Sequence, residues 1–108
     1  MIKNASRYDE TQLKLMRLVQ AKPAIVQRDV AKALGMSLGR TNFCINAMVT
    51  QGLLKIENVR SSDNKRSYAR WLTPKGKAEK AALTCRLLQQ KKEEYELLQA
   101  EFDLLQKG

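Results

Sequence analysis

Apolar residues recur at helical spacing near the start of the chain. The apolar face runs from Leu13 to Val19 at steps of three residues, as on the buried side of a helix. Asp9 suits the N-cap of a helix that begins at Glu10. Pro23 should end this helix, because the residue before a proline avoids the helical conformation.

Two shorter helices are predicted next, on either side of Gly35. The first covers residues 27–34, and Val26 at its N-cap position has no side-chain acceptor. The apolar stretch 24–26 is either a single β-bridge or the packed entry to this helix. Gly35 suits a left-handed turn residue, because it has no β-carbon. The inward positions of this helix are Val30, Ala31 and Leu34.

Ser37 is the expected N-cap of the third helix, over residues 38–51, which Gly52 ends. Two short helices around a tight turn are typical of a helix-turn-helix, whose second helix enters the major groove of DNA. Helical spacing places a buried stripe at Thr41, Cys44, Ile45 and Met48. The opposite face carries Gly39, Arg40, Asn42, Phe43 and Asn46.

Several side chains on that opposite face can read base edges. Arg40 can donate to guanine O6 and N7, and Asn42 and Asn46 can pair with adenine N6 and N7. Phe43 either contacts thymine methyl groups or folds sideways into the core. The alternative for the whole set is an ordinary solvated helix face. Cap, close-approach and phosphate contacts are expected at Ser37, Gly39 and Thr41.

Two strands follow around a polar, basic tip. Residues 53–59 and 67–72 read as strands, and the turn-forming residues between them predict a β-hairpin wing. Tyr68 and Trp71 are interpreted as packing residues of the hairpin. The basic residues around it either clamp DNA phosphates, with Arg66 in the minor groove, or form a solubility patch. They are Arg60, Lys65, Arg66 and Arg70.

The chain ends in one long predicted helix. Thr73 is its cap, Pro74 its first residue, and no glycine or proline follows between Lys77 and Lys107. Thirty residues span about 45 Å, which overhangs a domain of this size. The overhang either docks back on its own domain or pairs with a second chain, and its length favours pairing, with the tight contact over residues 95–105. Dimer contacts are predicted at Leu88, Tyr95, Leu98, Phe102 and Leu105.

Charge supports a nucleic-acid partner. The chain has 108 residues and a net charge of +9, and residues 1–80 carry a net of +10 against −1 for residues 81–108. Such an excess indicates a polyanion, either nucleic acid or an anionic membrane surface. The chain has no histidine and no CxxC motif. These absences argue against metal sites, cofactors and histidine-dependent catalysis, so no catalytic residue is assigned and an enzyme is not predicted.

Neither a signal peptide nor a membrane span is expected, because residues 1–8 are polar and no apolar run approaches about 18 residues. A cytoplasmic protein with reduced thiols is therefore predicted. Cys44 and Cys85 are interpreted as small buried apolar residues, with a redox switch at Cys44 as the alternative.

The order of these elements resembles the MarR type of bacterial winged helix-turn-helix regulator. The resemblance is clearest at QGLLK (51–55) and RSYARWLTPKG (66–76). Family wings carry an Asp-x-Arg before the Leu-Thr-x-x-Gly; here Arg66 takes the arginine position, and the aspartate is displaced to Asp63. Over residues 10–105 the chain is most similar to small regulators associated with exopolysaccharide biosynthesis loci. The extra C-terminal helices that larger members use for a ligand pocket are missing, so the resemblance implies no small-molecule effector.

The resulting prediction is a mainly α (α+β) winged helix-turn-helix with a two-stranded wing. Residues 1–76 form the DNA-binding domain and residues 77–108 a coiled-coil-like dimerisation helix. The predicted function is a sequence-specific transcriptional regulator that binds double-stranded DNA as a homodimer. The alternative is a winged-helix module that contacts protein or RNA.

Overall fold

The computed structural model describes residues 7–60 and 66–108. Four helices surround a two-stranded antiparallel hairpin, which confirms the predicted mainly α fold. The elements in chain order are α1 (Arg7–Ala21), α2 (Gln27–Leu34), α3 (Leu38–Thr50), β1 (Leu54–Arg60), β2 (Arg66–Leu72) and α4 (Pro74–Lys107).

Local sequence signals account for most of these bounds. The α2 helix has the predicted limits, and its N-cap Val26 makes no side-chain capping bond. Gly35 closes α2 in the left-handed conformation with φ 64°. The α1 helix begins three residues earlier than expected, at Arg7. Residues 24–26 form no bridge and lead directly into α2.

One core joins all four helices to the hairpin. Leu15 and Met16 of α1 are fully buried at its centre, as are Val30 of α2 and Ile45 of α3. Leu83 and Leu87 of α4 belong to the same buried cluster. The first turns of α4 therefore complete the core formed by the elements before them.

A tight joint connects the hairpin to α4. The Thr73 hydroxyl accepts a hydrogen bond from the Gly76 N–H (2.9 Å) and caps the helix. The same hydroxyl donates to the Gly52 carbonyl at 2.5 Å. Gly76 lies so close to Leu53 that a β-carbon would stand 2.1 Å from the Leu53 carbonyl oxygen. The Leu-Thr-Pro-Lys-Gly sequence thus combines a cap with a close backbone approach.

Side chains of α1 hold α4 along its first half. Lys91 Nζ lies 3.1 Å from a carboxylate oxygen of Glu10, and Arg86 lies 3.8 Å from Asp9. Lys80 also donates to Gln20. Lys91 therefore faces α1. Glu10 raises its pKa by hydrogen bond and charge, as Glu94 does to a lesser extent.

Beyond Lys91, α4 extends past the other elements in residues 7–60 and 66–108. The molecule measures 67 × 26 × 23 Å as a result. Cys44 is buried as predicted, whereas Cys85 on α4 is exposed, so its assignment as a buried residue was wrong. None of the helices in the described ranges is both long enough and apolar enough to cross a membrane.

Candidate nucleic-acid interface

The start of α3 is fixed by a side-chain cap. The Ser37 hydroxyl accepts a hydrogen bond from the Arg40 N–H at 3.1 Å. Thr41 is fully buried, and its hydroxyl donates to the Ser37 carbonyl at 2.8 Å. Its predicted contact with DNA is therefore wrong for this conformation, because the hydroxyl points inward and is already bonded. Ser37 is exposed and retains a hydroxyl proton for an acceptor.

An exposed ridge runs along the side of α3 opposite the core. It is formed by residues at steps of three and four, which align on one face of a helix. Phe43 stands in its middle with 70% of its surface exposed, so the alternative in which this ring folds into the core is wrong. The ridge residues are Gly39, Phe43, Asn46 and Thr50, all of them exposed.

A groove separates this helix from the hairpin. Asn42 and Asn46 line one wall, and Ile56 and Tyr68 line the other, around a volume of about 190 Å³. Tyr68 is more than half exposed, although the sequence indicated only a packing role. Two-residue alternation along β2 places Tyr68 on the same face of the strand as Arg70. It could not reveal that this face opens toward α3.

Arg70 forms the inner end of the groove and is not available as a phosphate clamp. Only 7% of its surface is exposed, and its guanidinium donates to the Ile25 carbonyl at 3.1 Å and to Gln27 Oε1 at 3.5 Å. Its backbone N–H donates to the Pro23 carbonyl (2.9 Å). Burial lowers the Arg70 pKa. The predicted DNA contact is wrong for this side chain, which instead ties β2 to the start of α2.

A basic hollow lies on the other flank of α3. Arg40 lines it together with Arg7 and Lys14 of α1 and with the turn at Gly35, around about 290 Å³. Glu10 also lines this hollow, although its carboxylate pairs with Lys91. Sequence reasoning missed Arg7 and Lys14. Their seven-residue spacing placed them on one face of α1, but no local signal showed that this face meets the turn.

The distal end of the hairpin carries the remaining predicted contacts. Arg60 and Arg66 stand opposite each other in the last pair of the ladder. Lys65 and the side chains of Arg60 and Arg66 lie outside the described residues. The strand pairing therefore establishes only the backbone position of these two arginines, at the end of the hairpin beyond the groove.

Comparison with known proteins identifies the arrangement of these elements. Residues 8–55 match a family model described as winged helix-turn-helix DNA-binding. The fold is a winged helix-turn-helix. The matched model represents a DNA-binding family and not an enzyme family. No curated protein sequence matches the chain.

Solved structures share the fold over nearly the whole chain. The PcaV transcriptional regulator of Streptomyces coelicolor, in complex with its natural ligand, superposes with a TM-score of 0.67 and 19% identity, over 97% of this chain and 74% of PcaV. The transcriptional repressor CouR, bound to a 23-mer DNA duplex, superposes with a TM-score of 0.63 and 24% identity, over 88% of this chain and 67% of CouR. A MarR family protein of Mycobacterium tuberculosis, in complex with salicylic acid, superposes with a TM-score of 0.62 and 15% identity, over 90% of this chain and 73% of that protein. Because two of these structures contain small molecules, the absence of an effector in the present protein stays a prediction.

Proposed function

We propose that this protein is a sequence-specific, DNA-binding transcriptional regulator of the MarR type that acts as a homodimer in the cytoplasm. The exposed ridge of α3 carries the proposal. It presents Phe43 and Asn46 to solvent on the second helix of a helix-turn-helix, where a large apolar ring needs a partner. The DNA-bound CouR structure has the same fold and adds support.

In the proposed complex α3 lies in the major groove, and the hairpin tip follows the flanking backbone. Base contacts come from the exposed face of α3, and backbone contacts from the basic residues on either side of it. Ser37 and Gly39 permit close approach at the helix start. The proposed DNA-facing residues are Ser37, Gly39, Arg40, Asn42, Phe43 and Asn46 of α3, with Arg60, Lys65 and Arg66 of the wing.

The second half of α4 is proposed to pair with the same segment of a second copy. Its apolar side chains are between 54% and 80% exposed in the single chain. Each buried aromatic ring removes about 150–250 Å² from water, and soluble monomers rarely expose contiguous apolar patches above a few hundred Å². A second copy presents the same stripe, so an isologous pair can cover both. The stripe comprises Tyr95, Leu98, Phe102 and Leu105, flanked by Leu97 and Leu104, with Leu88 at its start.

Selection of bound fragments from genomic DNA in the presence of heparin tests the DNA assignment. A sequence-specific regulator retains defined, roughly palindromic sites. Its affinity should fall about 10³–10⁵-fold between 50 and 200 mM salt if six to ten phosphates are contacted. Retention of no defined sequence would favour the protein- or RNA-binding alternative. The sequence resemblance makes promoters of exopolysaccharide biosynthesis genes the first targets to examine.

Light scattering of two variants tests the pairing helix. Phe102→Asp places a charge inside the proposed contact and should yield monomers. Gln89→Asp adds the same charge at an exposed position of α4 outside the apolar stripe and should leave the dimer intact. An unchanged mass for Phe102→Asp would contradict the proposed pairing surface, as would equal dissociation of both variants.

A further inference from the structure

We infer that α3 reads a half-site whose centre is rich in A·T pairs, with a thymine methyl group against Phe43 and adenines against Asn42 and Asn46, while Arg40 contacts the phosphate backbone. This inference rests on the proposed DNA-binding function and specifies which bases the site takes.

Phe43 determines the chemistry at the centre of the ridge. Its ring is 70% exposed, and its neighbours Gly39 and Asn46 leave it as the most prominent side chain there. The thymine C5-methyl is the apolar group that base pairs present in the major groove. A G·C pair has no methyl group, and a phenyl ring against it would desolvate the cytosine N4 donor and the guanine O6 and N7 acceptors without bonding to them. A thymine therefore suits this position best.

The asparagines extend the same preference toward the wing. Asn46 lies on the ridge, and Asn42 lies beside it on the groove flank, so both amides face the space between α3 and the hairpin. An asparagine amide pairs in two bonds with adenine N6 and N7. The α3 sequence contains no Asp or Glu to accept from cytosine N4 and no Lys to donate to guanine. Apart from Arg40, its exposed face thus favours adenine and thymine.

Arg40 lies beside other basic side chains on one flank of α3. It lies on the flank of α3 away from the groove, in the hollow that also receives Arg7 and Lys14. Three cations from two helices match a row of phosphates better than one base edge. The guanine contact expected for an isolated arginine on this helix is therefore reassigned to the DNA backbone.

Selection of full-length protein on random duplexes gives the first test, with A·T pairs expected at the centre of each half-site. Those thymines are then replaced by uracil, which removes only the methyl group. Wild-type affinity should fall about fourfold per contacted methyl, from about 0.8 kcal/mol for one buried carbon. Phe43→Ala should bind the thymine and uracil duplexes equally. Uracil placed outside the half-site centre is the matched DNA control, and circular dichroism checks that the variant is folded.

Arg40→Ala completes the test. It should weaken selected and random duplexes by the same factor and reduce the salt dependence of binding. A defined site with G·C pairs at its centre would overturn the inference while leaving the proposed function intact. So would a loss of base preference in Arg40→Ala, or an equal uracil penalty in wild type and Phe43→Ala. Selection of no defined sequence would instead overturn the proposed function itself.

Discussion

Gly76→Ala should destabilise the protein although alanine favours helices. A β-carbon at this position would stand 2.1 Å from the Leu53 carbonyl oxygen, and 3.0 Å from the carbonyl carbon. Both are backbone atoms, so α4 and the segment before β1 must move apart by about 1 Å. Overpacking of this kind costs about 1–3 kcal/mol. The same movement weakens the hydrogen bond from the Thr73 N–H to the Leu53 carbonyl (3.1 Å), which costs about 0.5–1.5 kcal/mol more.

Gly39→Ala is the matched control, because the added β-carbon meets nothing within 4 Å. It should stabilise the fold by about 0.5–1 kcal/mol, since alanine loses less backbone freedom than glycine in a helix. The helix preference of alanine offsets about 0.5–1 kcal/mol of the overpacking cost at Gly76 as well, so Gly76→Ala should be less stable than wild type by about 2 kcal/mol, and thermal melting at one protein concentration should show a loss of roughly 8–16 °C for a domain of this size. A Gly76→Ala melting temperature at or above that of wild type would refute the close-approach argument.

Two further substitutions test the contacts around the core. Arg70→Ala leaves the Ile25 carbonyl without its buried donor, so urea unfolding should show a free energy of unfolding lower by about 1–3 kcal/mol. The exposed control Arg28→Ala should change this free energy by less than about 0.5 kcal/mol. Equal effects of the two substitutions would contradict the conclusion that Arg70 connects β2 to the start of α2. Lys91→Gln should lower the melting temperature at pH 8, relative to Lys92→Gln as the control, because Glu10 raises the pKa of Lys91. That stabilisation is complete below the ordinary lysine value of 10.5 and disappears as pH rises through the higher folded value, so a difference that persists above it would count against the ion pair.

Periodicity and capping signals predicted the elements because they act over a few residues. Ser37 and Thr73 start their helices as expected, and Gly35 and Gly52 adopt positive φ where the chain turns. The buried stripe of α3 followed from spacing alone, including Cys44. These features depend on backbone bonds and side-chain direction within one segment, so one sequence suffices to place them.

Contacts between segments that are distant in sequence were harder to predict from the sequence. Strand alternation along β2 places Arg70 on the same face as Tyr68, but the loop before α2 buries Arg70 alone, and its Ile25 and Pro23 carbonyls accept hydrogen bonds from that residue. Cys85 was interpreted as buried from its position in the chain, but its side chain is exposed on α4. In both cases burial depends on a partner segment distant in sequence, which no local pattern identifies.

The continuity of α4 has a consequence for the proposed dimer. Leu83 and Leu87 hold the helix in the core, and Lys91 ties it to α1 immediately before it leaves the domain. Residues 92–107 then extend about 24 Å without a glycine or proline at which the helix would bend. The separation of the two ridges is therefore set by helix packing and not by a flexible linker. To bind half-sites one helical turn apart, the two exposed ridges must lie about 34–36 Å from each other. The angle at which the two α4 helices cross therefore decides whether both ridges reach the same face of DNA.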